Sequence, residues 1–314
     1  MYKNFRIAVM GDFMVDEWWR AESLKISPEA PVLDIINPVL IQRSAGGAGN
    51  VARNLLALGA HVDLYGIIGD DEVGNALSNE LSAAGAVWKV DCVRGFETHR
   101  KIRYCADGNV LFRVSKDRCR AVPEKCGTVP VLNYHAFIIS DYNKGAMTET
   151  TIMRVMRGAQ EKPVFVDPKF DNISLYKGAE IIKFNKAEAL AAEQRSCSGR
   201  QLPLSTLQNH EYSISVLQDR LLANNVVVTL GHAGMEVIDE EGNITDIPGR
   251  EVAVSDVTGA GDTAIAVLTL EYLRSGGDIV KAAYLANYAC SLVVQKRMTA
   301  VVTVEELLEE LNNE

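Results

Sequence analysis

The 314-residue sequence has no apolar run long enough to cross a bilayer, which takes about 20 consecutive apolar residues. It has no Cys-x-x-Cys pair. The six cysteines, Cys92, Cys105, Cys119, Cys126, Cys197 and Cys290, are scattered, which argues for reduced thiols rather than a disulfide frame or a zinc site. A basic excess is also missing: 32 Lys and Arg face 41 Asp and Glu, for a net charge of -9 and a pI near 5.2. That balance excludes the basic stripe a nucleic-acid partner calls for, so any phosphate is bound locally. The P-loop signature Gly-x4-Gly-Lys-Ser/Thr does not occur, which removes one class of ATP-dependent enzyme. The five histidines are dispersed and suggest no constellation. The opening "MYKNFRIAVMGDF" enters strand-like alternation without a signal-peptide h-region or cleavage site, so a cytoplasmic protein is expected.

What is present is a long alternation. With 47% hydrophobic residues and mean hydropathy of +0.01, the chain reads as one large α/β domain or one domain with an appendage. "RIAVMGDFM" is a buried strand, "GGAGNVARNLLALGA" a glycine-initiated helix, "HVDLYGIIG" a second strand and "DEVGNALSNELSAAG" an amphipathic helix. Strands are predicted at 86–91, 136–140, 163–167, 180–184 and 225–230, with helices between. This pattern gives a mostly parallel sheet covered on both faces. Residues 20–43 and about 97–115 break the rhythm and read as β-ribbon, a small second sheet over one end of the domain. Residues 195–215 are polar and weakly patterned, a variable loop.

The densest chemical signal is "SDVTGAGDTAIAVL" at 255–268, between a strand-like stretch and an apolar helix closed by glycine. A helix N-terminus leaves backbone N–H groups unpaired and carries partial positive charge. Gly259, Ala260 and Gly261 let an oxyanion approach those groups closely. Asp262 would repel that anion, and its presence makes sense if it takes a proton from a hydroxyl that attacks phosphorus. The structural alternative is a tight turn with an aspartate favourable to the helix dipole. The turn also fits Gly-x-Gly-x-x-Ala, as does "GAGNVA" at 47–52, but it lies too late for a first βα unit of a dinucleotide fold.

Five segments occur in a fixed order: "GDFMVDEWW" at 11–19, "SAGGAGNVARNLLALGA" at 44–60, "IISDYNKGAMT" at 138–148, "NKAE" at 185–188 and "SDVTGAGDT" at 255–263. Together they resemble the ribokinase-like (PfkB) sugar kinases over nearly the whole chain. "SLKISPEAPVLDI", "GGAGNVARN", "SDYNKGA" and "VDPK" are most similar to D-glycero-β-D-manno-heptose 7-phosphate kinases, which act in ADP-heptose and lipopolysaccharide precursor synthesis. The resemblance implies a three-layer α/β/α fold with a β-sheet lid, ATP and Mg²⁺ as cofactors, and a homodimer formed through the lid. It also implies that this chain is the kinase half; whether a separate protein supplies the nucleotidyltransferase stays open.

The resemblance further implies residue roles. Asp262 is the base, and Gly259, Ala260 and Gly261 form the anion hole. Asp12, Asp16, Gly46, Gly47 and Asn50 bind the sugar. Lys144 or Lys169, near strand ends, meets its remote phosphate. Asn185, Lys186, Ala187 and Glu188 match Asn-x-x-Glu, which orders Mg²⁺ and nucleotide phosphates through water; the same residues also fit a helix-capping box. Thr229, Gly231, Gly234 and Asn287 fall on the nucleotide side, although Asn287 also fits a backbone-satisfied amide. Where relatives carry a Gly-Thr pair, this chain reads "VVQKRMTAVVT", so a monovalent-cation requirement stays open. A kinase for another sugar or a nucleoside, a non-catalytic binding protein and a nicotinamide oxidoreductase are the competing readings.

Overall fold

A computed structural model describes residues 1–106, 109–117, 133–159, 161–198 and 212–311. Its organising element is the first strand, β1 (Arg6–Arg20), which is far longer than the sheet it starts in. Residues 7–11 pair in parallel with β10 (Ala136–Ser140), and residues 6–12 pair with β5 (His61–Gly69). Beyond Asp12 the same strand leaves the main sheet. There it pairs antiparallel with β4 (Val39–Gly47) and parallel with β8 (His99–Ala106).

The main sheet continues from β10 through β11 (Val164–Asp167), β12 (Ile181–Asn185) and β13 (Asn225–Thr229), all parallel. Two antiparallel strands, β14 (Gly234–Ile238) and β15 (Ile244–Pro248), close that edge. Short β6 (Val87–Trp88) and β7 (Asp91–Val93) lie on the other side, both against β5. Period-two alternation sorts the strand side chains onto two cores. Ile7, Val9, Leu64 and Ile138 join the core of α1 (Ala48–Ala57), α2 (Glu72–Ala83), α6 (Ala260–Ser275), α7 (Ile279–Val293) and α8 (Val304–Leu311). Ala8, Met10, Phe137, Ile139 and Ile182 face α3 (Glu149–Gly158), α4 (Lys186–Ser198) and α5 (Ile214–Leu221). The architecture is the three-layer, mostly parallel α/β/α fold with a small β lid.

The lid is composed differently from the expectation. Its central strand is the outer half of β1, residues 13–20, of which the sequence pattern places 13 and 14 in the first core strand and leaves 15–19 unassigned. β9 (Asn109–Lys116) extends it beside β8, and β2 (Ser23–Ile26) with β3 (Leu33–Ile36) forms a separate hairpin. Continuous burial of residues 7–18 gave no boundary to read, because the strand is covered in both sheets. The predicted strand at 86–91 is two short pieces. Of the predicted loop 195–215, residues 195–198 belong to α4, and 199–211 lie outside the described residues. Among the described residues no helix is long and apolar enough to cross a membrane.

Candidate active site

The strand ends of β1, β10, β11 and β12 converge under the lid, and the N-terminus of α6 points into the same space. Gly259 caps that helix at φ 86°, a left-handed conformation that glycine adopts without strain. A side chain there would also strike Asn50, whose Nδ2 lies 2.5 Å from the Cβ position. The residue type is thus fixed twice, by dihedral and by contact. Asp262, in the first turn of α6, is buried. Its Oδ2 accepts from Asn50 Nδ2 at 2.9 Å and its Oδ1 from the Tyr142 hydroxyl at 2.8 Å. Burial pushes its pKa up to about 6, and the nearby Asp167 charge adds to the effect; the two hydrogen bonds and Lys183 oppose it. A carboxylate tuned this way is ionised at neutral pH yet remains a competent proton acceptor.

Two cations that sequence reasoning missed lie close to this turn. Lys183 of β12 is buried, bonds Asp167 at 2.9 Å, and sits 3.0 Å from where a Cβ on Gly261 would lie. Burial works against its charge, but the carboxylates of Asp167, Glu188 and Asp262 outweigh that and hold its pKa above the ordinary lysine value. Lys101 of β8 stands over the Tyr142 ring at 4.7 Å. A lysine in an otherwise apolar strand was the available signal for Lys183: in "EIIKFN" it breaks a run of buried residues. Tyr142, in the loop after β10, carried no signal, because only the folded chain brings it to Asp262.

The predicted sugar residues divide. Asp16 is buried on the lid half of β1, with Oδ1 accepting from Arg103 Nη1 at 2.6 Å. A Cβ on Gly46 would fall 2.2 Å from its Oδ2, so only glycine at 46 leaves that carboxylate in place. Gly47 precedes α1, and Asn50 stands in its first turn beside Asp262. Asn50 Oδ1 is buried and has no hydrogen-bond partner among the described residues. Asp12 differs. Its two oxygens accept from the backbone N–H groups of Tyr142, Lys144 and Ala146 at 2.8, 3.0 and 2.9 Å. It holds the loop after β10 rather than presenting free acceptors to a sugar.

Neither lysine proposed for a remote phosphate is free. The Lys144 ammonium pairs with Asp117 at the end of β9, and that of Lys169 pairs with Glu188. Asn185 and Glu188 form the reciprocal capping box at the start of α4: Glu188 N–H donates to Asn185 Oδ1 at 2.9 Å, and Asn185 N–H to Glu188 Oε2 at 3.0 Å. Lys186 and Ala187 are the exposed residues between them. Glu188 therefore has one oxygen on the cap and one on Lys169.

Two cavities flank the Gly259–Asp262 turn. One, of about 560 Å³, is lined by Thr229, Gly231, Gly234 and Asn287 together with Ala260 and Gly261. All four predicted nucleotide-side residues share it, although the Asn287 amide also donates to Pro248 O at 2.9 Å and Thr229 Oγ1 to Phe184 O at 3.3 Å. The other, of about 1020 Å³, lies between lid and body, where Arg20, Arg103 and Arg297 face Ser255, Asp256 and Thr258. Both are within the range of small-molecule sites. Among the described residues no three His, Cys, Asp or Glu side chains cluster as a metal cage.

The chain is 35% identical over 319 residues to the bifunctional protein HldE of Coxiella burnetii, matching 99% of this chain and 65% of that protein. HldE of Hydrogenovibrio crunogenus is 35% identical over 325 residues, 99% of this chain and 64% of that one. The chain thus spans about two-thirds or slightly less of the length of these relatives. In fold it is similar to the ribokinase of Cryptococcus neoformans solved in complex with ADP, with a TM-score of 0.71 at 18% identity, covering 98% of this chain and 100% of that one. The model of the pfkB family carbohydrate kinases matches residues 5–91 and 122–306, and the chain belongs to that family.

Proposed function

We propose that the chain transfers the γ-phosphoryl group of ATP to the anomeric hydroxyl of D-glycero-β-D-manno-heptose 7-phosphate, giving the 1,7-bisphosphate and ADP. The observation that carries the reaction is the buried Asp262 carboxylate in the first turn of α6, next to a turn whose Ala260 and Gly261 line one cavity and whose preceding Thr258 lines another. Asp262 takes the hydroxyl proton as the sugar oxygen forms its bond to phosphorus and the bond to the ADP oxygen breaks. The N–H groups of Gly259 and Gly261 receive the phosphoryl oxygens, that of Ala260 being on Val257 O at 3.3 Å, and Lys183 adds fixed positive charge beneath them. Preorganised donors of this kind act where charge develops. Asp16 Oδ2 and the unpartnered Asn50 Oδ1 are the acceptors for sugar hydroxyls.

Mg²⁺ bound with the nucleotide would neutralise its phosphates, with Glu188 and Asn185 facing its water shell. Mg²⁺ keeps most of its waters and is carried largely by phosphates. ATP would enter the cavity lined by Thr229, Gly231, Gly234 and Asn287.

Support for a phosphorylated acceptor comes from the sequence resemblance to heptose 7-phosphate kinases and from the lid cavity. The Arg20 and Arg297 guanidiniums there have no hydrogen bond or ion pair among the described residues, and Arg103 uses one of its five donors on Asp16. Glu22 and Asp256 also line it, bonded to Asn37 and to the Thr258 N–H. These arginines replace Lys144 and Lys169 as the remote-phosphate contacts. ADP release should be measured across heptose 7-phosphate, free heptose, fructose 6-phosphate, ribose and a nucleoside. Losing a charge-assisted contact costs about 1.5–3 kcal/mol, or roughly ten- to a hundredfold in affinity. Free heptose should be weaker by that factor, and Arg297→Ala should narrow the gap. Equal turnover of free and phosphorylated sugar would end the substrate assignment.

A further inference from the structure

The lid carries a cation that the fold leaves without a partner inside the active site. β8 pairs with the lid half of β1, setting Lys101 opposite Asp16 and Arg103 opposite Trp18. Arg103 is satisfied, bonded to Asp16 and stacked over Trp18 at 4.7 Å. Lys101 is not: among the described residues its ammonium makes no hydrogen bond and no ion pair. It stands over the Tyr142 ring, 4.7 Å from Nζ to centroid, and the hydroxyl of that ring donates to Asp262.

A half-buried ammonium without an acceptor is costly. Burial lowers the pKa of Lys101, and only the more distant charges of Asp16 and Asp262 oppose that effect, while Arg103 and Arg113 reinforce it. A cation–π contact recovers only part of that cost. A group held this way is missing an anion. Lys183 already supplies positive charge from the sheet side of the turn, with one of its donors on Asp167. Lys101 comes from the opposite side, from the lid, toward the same carboxylate.

We infer that Lys101 is a catalytic residue supplied by the lid, donating to the oxygens of the phosphoryl group as it passes from ATP to the sugar. It keeps its own protons; the hydroxyl proton still goes to Asp262. This inference rests on the reading of the Asp262 turn as the transfer site, and not on which sugar is the acceptor. Its consequence is that the site is electrostatically complete only with the lid in place, so hydrolysis of ATP without sugar is disfavoured.

The test compares Lys101→Met and Lys101→Arg with the parent and Asp262→Asn, using ADP release with the best acceptor of the sugar panel. A donor acting on developing charge should cost about 10²–10³-fold in kcat when removed, with KM for ATP and sugar changed only a few-fold. Lys101→Arg should recover part of the rate. Binding provides a second readout: with sugar present, Lys101→Met should lose affinity for ADP plus aluminium fluoride by a similar factor and keep its affinity for ADP alone. If Lys101→Met folds poorly, Lys101→Gln, which also removes the charge, carries the same comparison. A near-parental kcat, or a loss confined to KM for the sugar, overturns the inference. Full activity in Asp262→Asn would instead overturn the reading of the turn, and Lys101 would fall with it.

Discussion

Replacing Asp262 by asparagine separates chemistry from stability, because the structure gives opposite signs for the two. The carboxylate is buried and its pKa stands near 6 against an ordinary 3.8. That difference of about two units, at 1.36 kcal/mol each, means the folded state is about 3 kcal/mol less stable at neutral pH than with an unperturbed group. The sign follows from the folded protein binding the proton more tightly than the unfolded chain. Stability tied to this group is greatest below pH 3.8 and declines as pH rises through 6. Asparagine removes that dependence at similar volume. Its amide can also be satisfied, since Asn50 has an unpartnered Oδ1 beside it and the Tyr142 hydroxyl can accept as well as donate. Asp262→Asn should therefore be more stable than the parent by about 1–3 kcal/mol at pH 8, with the gap closing toward pH 4. Its kcat should fall by at least about 10²–10⁴-fold with ATP binding retained. In the parent, kcat/KM should rise with pH through about 6 as the base ionises. Paired urea melts and initial rates from pH 4 to 8 measure all three. A variant destabilised equally at every pH, or one that still turns over near the parental rate, would refute the assignment of a strained catalytic base.

Three further expectations follow from individual contacts. Gly46→Ala places a methyl group 2.2 Å from Asp16 Oδ2, so KM for the sugar should rise about tenfold or more while KM for ATP holds, as separate titrations would reveal. Glu188→Gln should raise the Mg²⁺ concentration needed for activity if the carboxylate faces the metal's water shell. If it serves only the capping box, it should cost about 0.5–2 kcal/mol of stability with an unchanged Mg²⁺ requirement, and melts run beside the titration decide. Val110, Phe112 and Val114 expose one face of the lid-edge strand β9, so the chain should dimerise there and Phe112→Glu should yield a monomer by light scattering; a parental monomer refutes it.

The sequence by itself determined the fold class and the turn that holds Asp262. Both depend on short-range rules: strand and helix periods sort residues between faces, and a left-handed helix cap demands glycine at 259. The pairing of Asn185 with Glu188 was legible for the same reason, since a capping box spans one turn. Tertiary structure alone decided which charges are available. Asp12 and Asp16, four residues apart on one strand, look alike in sequence, yet one is consumed by three backbone N–H groups and the other pairs with Arg103 through one oxygen only. Lys144 and Lys169 are neutralised by partners 27 and 19 residues away, and Lys183 and Lys101 reach the turn from strands remote in sequence. Periodicity fixes the side of a strand on which a residue lies; whether its charge is cancelled depends on contacts a few ångströms long between segments that meet only after folding.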